Sequence, residues 1–515
     1  MLLLPANIGS RYIFLTPPFF IHAIASHLSL FLGVHSGPIQ KQSCIFQIQE
    51  NINYPLTLLA KNFMQITINR TTNTQFFLAS LLALIAILLL ISSPANAVPS
   101  FSRQTGQSCN VCHTQSFGPN LTPFGREFKL GGYTMSGGKG IDAKLPALSG
   151  MVEGSLTHTQ KDQDASGFAS GYNQNNNFTF DQASLFYAGR IYGKVGAFSQ
   201  LTYDGYSNRL ALDNTDIRFA DQLNTDMPVT YGISLNNNPT VQDLWNTTSA
   251  WSFPYTGSAV QPGIGASSLI DGAFATQVGG ATAYTMINNL LYLEAGGYSS
   301  LNYNVQRGLG VADAGQQQID GAAPYWRAAL QKDWQGHYVS LGHYGMIADV
   351  FPGRDRSNGT DHYSDLAVDA TYQYMGNPKH IFEAKTTYIY EDQKLTATRL
   401  AGGLAASGNT YLTTYKINTA YTYDQTYGVT FGYNRVTGSQ DANLYSPDAG
   451  YYLTRPNSQY YTAELVYVPF GKSDTYHYLM NLRTSLQYIG YSQFNGSSTD
   501  AQNNNTFMVN GWLAF

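Results

Sequence analysis

The chain has 515 residues and a formal net charge of −4, with only 12% charged residues against 49 glycines and 38 tyrosines. The negative balance, stronger still from Val98 onward, sets nucleic acid aside as a partner. A surplus of β-formers and turn residues with so little Lys and Glu argues for an all-β chain rather than a helical one.

Residues 1–63 hold proline-interrupted apolar stretches with no steady period. From Met64 the pattern changes: Arg70 supplies a basic flank, Phe76 to Ile91 is apolar apart from small and hydroxyl residues, and Ala95-Asn96-Ala97 offers a small-residue cleavage site. Residues 64–97 therefore read as a secretory signal peptide ending near Ala97. The run is shorter than the roughly 20 apolar residues of a spanning helix and ends in Ser92-Ser93-Pro94 rather than in a basic stop. Because a signal peptide works from the start of a chain, translation is expected to begin at Met64. Residues 1–63, Cys44 included, would then not be made.

Soon after the expected cleavage point comes Cys109-Asn110-Val111-Cys112-His113. Cys-x-x-Cys-His is the spacing at which two thiols capture the vinyl groups of a c-type haem, and the adjoining histidine then takes the iron as proximal ligand. With three cysteines and ten histidines in the chain, the motif arises by chance in roughly one such sequence in three thousand. A thioredoxin-like pair needs a βαβ setting, zinc needs a second Cys/His pair, and a disulfide across two residues is usually strained. None of those settings accompanies the motif. Cys109 and Cys112 are thus the expected haem attachment points, His113 the proximal ligand, and one covalent haem c the expected cofactor.

Residues 98–146 form the expected haem domain. Thr122 before Pro123 predicts a helix start, Phe124 and Phe128 share a face, and Gly131-Gly132 predicts its end. The two rings either pack on a haem edge or dock the helix on its surroundings. Met135 is the sole methionine of this stretch and the preferred distal ligand, and Met151, His158 and His343 compete with it. So small a domain buries little core by itself, so that haem and enclosure would supply its order.

From residue 147 to 515 the sequence alternates. Val229, Tyr231, Ile233 and Leu235 oppose Thr230, Gly232 and Ser234; Tyr478, Met480, Leu482, Leu486 and Tyr488 oppose Asn481, Arg483, Ser485 and Gln487. Ile191, Val195, Ala197, Leu201 and Tyr203 likewise share one face of what reads as a single run. A soluble sandwich and a membrane barrel both alternate in this way. Charged and amide side chains on successive polar faces favour the barrel with a wet lumen, as do unequal polar tracts such as Asn173 to Asn177, Asn236 to Asn238 and Arg354 to Asp361, read as outer loops. Phe507, Val509, Leu513 and Phe515 alternate to a terminal aromatic, which resembles the assembly signal of outer-membrane barrels. The expected fold class is all-β, a transmembrane outer-membrane β-barrel of about sixteen strands with a small N-terminal c-type haem plug domain. Asp349, Asp355, Asp361 and Asp365 read as a solvated acidic loop in preference to a cation site.

Pro99 to Gly106, Cys109 to His113, Phe124 to Lys129 and Gly132 to Met135 resemble the N-terminal cytochrome of the outer-membrane monohaem cytochrome-porin fusions of iron-oxidising bacteria. Asn236 to Asn246 and the Asn503-Asn504-Asn505 segment are similar to the barrel of that family. The resemblance implies one haem lodged in a barrel of about sixteen strands, an extracellular electron donor, foremost Fe(II), a periplasmic cytochrome as acceptor, and the outer-membrane bilayer as surroundings. It implies electron transfer rather than transformation of a substrate. Two readings stand beside it: a porin-like channel with a haem-bearing plug and no iron oxidation, and a haem enzyme acting on a small substrate. An enzyme needs a distal acid-base residue, and near the motif only Arg103 and Arg126 offer themselves, equally readable as haem-propionate partners or surface charges.

Overall fold

A computed structural model describes residues 100–137, 147–223, 225–313, 316–472 and 480–515. The expected start at Met64, the signal peptide and Cys44 lie outside the described residues.

Among the described residues, sixteen long antiparallel strands form one continuous ring, with a two-residue strand, Gln318–Ile319, added at one edge. The first strand, Leu148–Thr159, pairs with both the second, Asn177–Tyr192, and the last, Thr506–Ala514, so the sheet closes without an open edge. Beyond that seam Gly150 and Phe515 exchange backbone hydrogen bonds of 2.6 and 2.8 Å.

Alternation sets the two faces. In Val229–Asn236, Ile233 and Leu235 are exposed while Thr230, Gly232, Ser234 and Asn236 are buried; in Asn481–Gln493, Asn481, Arg483, Ser485 and Gln487 point inward. The outer surface is apolar, with Leu156, Phe178, Leu185, Leu341, Phe431 and Leu465 all exposed. Rings gather where short turns end the strands: Tyr427 lies 5.2 Å from Tyr467, Trp334 5.6 Å from His337, and His380 5.4 Å from Tyr423. An apolar belt outside, polar residues inside and an aromatic girdle make this a membrane barrel in its physical design.

One end of the barrel carries short turns, such as 193–194, 335–336, 378–379 and 424–426; the other carries longer connections, such as 160–176, 301–322, 395–408 and 439–457. The reading of Ile191 to Tyr203 as one run is corrected. Gly193, at φ +53°, turns the chain between Asn177–Tyr192 and Val195–Asp204; the two-residue turn pairs Tyr192 with Val195, and a bulge between Arg190 and Tyr192 restores pairing of like parity, Gly189 with Ala197 and Leu185 with Leu201, so the pattern runs on across the break.

The chain itself enters the interior. Residues 236–248 are buried without exception, so Asn236 to Asn238 opens a connection that folds into the lumen and is not an outer loop. Asp243 in this connection pairs with Arg327 at 3.3 Å, and Arg327 with Asp369 at 2.9 Å. Towards the longer loops Leu269, Ile270 and Phe274 pack with Tyr298, Tyr325, Tyr344, Met346 and Val350 in an apolar core. The acidic loop expected around Asp349 to Asp365 is corrected as well. Asp361 and Asp365 are inward strand residues with no exposure, whereas Asp349 and Asp355 stay outside. Asp365 accepts the Ile270 N–H at 2.6 Å, so it serves the lumen connection and not a loop.

Candidate functional site

Residues 100–137 fold as three short helices, α1 (Ser100–Thr105), α2 (Cys109–Cys112) and α3 (Pro123–Leu130). Helix α3 begins and ends where its sequence dictates. The Thr122 hydroxyl accepts the Gly125 N–H, Pro123 occupies the first turn where no amide donor is needed, and Gly131 ends it. The Cys-x-x-Cys turn is α2, followed by a tight return in which His113 bridges to Leu121 and the Thr114 N–H donates to Asn120 O at 3.1 Å. That return lays α3 directly on the motif. The Thr122 N–H donates to Cys112 O at 2.9 Å and its hydroxyl to Val111 O at 2.5 Å.

The segment lies against the short-turn end of the barrel. Asn110 exchanges two hydrogen bonds with Gln425, in the turn 424–426, at 3.0 and 3.1 Å. Asn481, the first residue of its strand, donates to Ser116 O at 2.7 Å, and Phe117 meets the Trp512 ring at 4.7 Å. On the other flank Ser100 bonds Ser149 at 3.2 Å, Arg103 donates to Leu148 O, and Gln104 joins Met135 O to the Arg190 N–H. Arg126 is buried, donates to Gln373 at 2.7 Å and stacks on Tyr338 at 3.7 Å, so it is no surface charge. Lys129 reaches furthest inward. Its ammonium donates to Val241 O, Asp243 O and Asn246 Oδ1 at 2.9, 2.6 and 3.0 Å, tying the segment to the lumen connection.

Phe128 is buried. It joins Phe101 and Tyr133 in a cluster of rings 4.9 to 6.0 Å apart, and Tyr133 donates to Asp216 of the barrel at 2.7 Å. Asp216 is in turn paired with Arg218 at 2.7 Å, both wholly buried.

The motif's chemistry suits iron ligation. Cys109 and Cys112 are both free thiols, and burial pushes them up to about 11 and about 12 respectively, so both are protonated at neutral pH. Burial pushes the His113 imidazole down to about 4, against the opposing pull of the Asn120 and Gly118 carbonyls, so the ring is neutral, as a metal-ligating histidine has to be. Its Nδ1 is buried without a formed hydrogen bond. Two thiols one helical turn apart and a neutral imidazole with an orphaned nitrogen fit a covalently held haem.

The competing ligands separate by position. His158 and His343 face outward from the barrel; His158 bonds Asn176 at 2.8 Å and His343 bonds Ala367 O at 2.9 Å. Met151 faces inward, but its sulfur accepts the Trp512 indole N–H at 3.0 Å. Met135 is held through its backbone carbonyl by Gln104 at 2.8 Å, beside Arg190, whereas the motif is anchored at Gln425 and Asn481. The anchoring residues Gln425, Asn481 and Lys129 escaped the sequence reading, since each looks like an ordinary turn, strand or helix polar residue.

No protein-family model matches the chain, and no curated protein sequence does. Among solved structures it is similar to the channel DcaP of Acinetobacter baumannii, at 10% identity and a TM-score of 0.42 over 72% of this chain and 96% of that one. It is also similar to OmpF of Salmonella typhi, at 14% identity and 0.40 over 72% and 97%, and to a loop-deleted OmpT of Vibrio cholerae, at 10% and 0.39 over 73% and 100%.

Proposed function

We propose that the chain is an electron conduit of the bacterial outer membrane, a member of the monohaem cytochrome-porin fusions that its N-terminal motifs resemble. Cys109 and Cys112 would hold a single haem c, with His113 as proximal and Met135 as distal ligand, and the haem would supply one-electron exchange between an extracellular donor, foremost Fe(II), and a periplasmic cytochrome. The observation that carries this reading is the Cys-x-x-Cys-His turn pinned across the short-turn end of a closed barrel. Short turns are the periplasmic side of such barrels, which supports a periplasmic protein as the acceptor.

When bound, the haem supplies one-electron exchange at its iron. The protein's own residues do the rest. Asn110, Gln425 and Asn481 fix the orientation of the motif, and Thr122, the N-cap of α3, holds its Cys112 and Val111 carbonyls. The inward connection, with the Asp243–Arg327–Asp369 chain and the apolar core above it, occupies the lumen, which favours electron passage over ion passage.

Proteoliposomes test the reading. External Fe(II) is expected to reduce the haem, and then a cytochrome c trapped inside, without ionic current. Porin-sized currents with the haem in place would establish the channel reading instead, and peroxide- or substrate-dependent turnover at the haem the enzyme reading. Met135→Ala is expected to abolish the red charge-transfer absorption of a methionine-ligated ferric haem; a bis-imidazole spectrum in the unaltered protein would remove Met135 from the ligand set.

A further inference from the structure

A second feature lies inside the barrel wall, towards the longer loops and away from the haem motif. Asp365 and Glu391 stand directly opposite each other on neighbouring strands, Asp361–Asn377 and His380–Lys394, and both side chains point inward, 0% and 1% exposed. They grip consecutive residues of the lumen connection. Asp365 Oδ2 accepts the Ile270 N–H at 2.6 Å, and Glu391 Oε2 accepts the Leu269 N–H. Two adjacent amides thus draw two carboxyl groups to one spot.

Among the described residues neither carboxyl forms an ion pair: Lys416 is taken by Asp271 at 2.6 Å, and Arg327 by Asp243 and Asp369. Asp361 accepts the Thr398 N–H at 3.0 Å, the phenols of Tyr344, Tyr363 and Tyr445 stand around the pair, and His362 points outward to Asp349 at 2.9 Å. Like charges directly opposite on a sheet repel, and in a buried site two such carboxyls do not both ionise. Glu391 Oε1 accepts the Gln393 side-chain amide, whereas Asp365 Oδ1 is buried with no partner. Three of the four oxygens therefore meet N–H donors, which suits a proton on the fourth and not a metal ion.

We propose that Asp365 and Glu391 hold one proton between them and act as a pH-dependent latch on the lumen connection. With the proton in place the pair grips both amides; with it gone, two negative charges repel and the grip loosens. Released into water, the carboxyls ionise at their ordinary values of about 4, so at neutral pH the latched state carries one proton more than the released state. Release therefore becomes easier as pH rises, by up to about tenfold per unit. The connection is set to move, since Thr240, β-branched and wholly buried, is held at a strained φ of +77°. The latch is independent of the haem motif, and its failure would leave the conduit reading standing.

Hydrogen exchange and infrared spectra of the detergent-purified full-length protein test this. Exchange of the Leu269 and Ile270 amides, corrected for the intrinsic effect of pH, is expected to speed up with pH by up to about tenfold per unit between pH 6 and 9. Asp365→Asn and Glu391→Gln each imitate the protonated pair, because the new amide accepts from the backbone and donates to its neighbour, and each is expected to abolish that slope. The infrared difference between the unaltered protein and either variant at pH 7 is expected to contain the band of a protonated carboxyl. Heat-modifiable migration on gels shows whether each variant folds, either one suffices, and the slope in the unaltered protein remains a test if neither does. Protection that ignores pH, absence of the band, or a slope that survives in the variants overturns the proposal.

Discussion

Gly125 stands against the carbonyl of Cys112 so closely that a Cβ there would lie 2.3 Å from the oxygen. Backbone meets backbone at this point, and neither side has a flexible end to move. Gly125→Ala is therefore expected to push α3 off the motif while the barrel, stabilised by its own strands, still forms. Haem content per folded barrel, from absorbance against heat-modifiable protein, should fall severalfold. Full haem loading in this variant would show that the α3 contact does not shape the attachment site.

The Lys129 ammonium gives a pH dependence with a definite sign. Burial pushes it down to about 7, from near 10.4 in an unfolded chain. Between these values the undocked segment binds more protons than the docked one, so docking strengthens as pH rises; below 7 the penalty is complete and no longer varies. From pH 7 to about 7.5, before the two cysteines of the undocked segment begin to titrate near their ordinary value of about 8.5, the opening constant of residues 100–137 should fall at a rate of up to about tenfold per pH unit. Hydrogen exchange of the α3 amides reads this, and Lys129→Met should flatten the slope.

Cys109 and Cys112 predict the behaviour of haem-free protein. With the thiols held up to about 11 and about 12 by burial, the thiolate fraction at pH 8 lies on the order of a hundredfold or more below that of a free cysteine. Iodoacetamide should modify both residues quickly in denaturant and very slowly in the folded barrel. Equal rates, counted by mass spectrometry, would show that the motif is open to solvent.

Arg218 joins three parts of the molecule. It pairs with Asp216 on its own strand and donates to Lys129 O of α3 at 3.1 Å and to Gln242 O of the lumen connection. Arg218→Met leaves Asp216 buried without its cation, a change that typically costs about 3–5 kcal/mol. The expected outcome is earlier thermal unfolding together with ionic leakage across planar bilayers, since the segment and the connection both lose their tether. Unchanged leakage would mean that the lumen is sealed by the apolar core alone.

Much of the barrel was legible because a two-residue period is hard to mistake. Val229 to Leu235 sorted into faces as read, and the Thr122-Pro123 start and Gly131 end of α3 were written in local chemistry. Asn236 to Asn238 was misread because a polar tract looks the same whether it meets water or the polar wall of a lumen. Asp361 and Asp365 were misread for a related reason: buried acids supplied with N–H donors by a distant segment carry no local mark. The motif itself was plain in sequence, but its place at the short-turn end depends on Gln425 and Asn481, more than 300 positions away.

The bond between Ser116 and Asn481 spans 365 positions, and it bears on the order of events in assembly. A chain emerging from its N-terminus makes the segment first, yet one of its clasps belongs to the penultimate strand and waits for nearly the whole polypeptide. Until that hairpin arrives, the two cysteines remain approachable and the mouth unlatched. Sealing of the barrel and burial of the motif are therefore one event, so a prematurely truncated chain would be left with exposed thiols that mark it as unfinished.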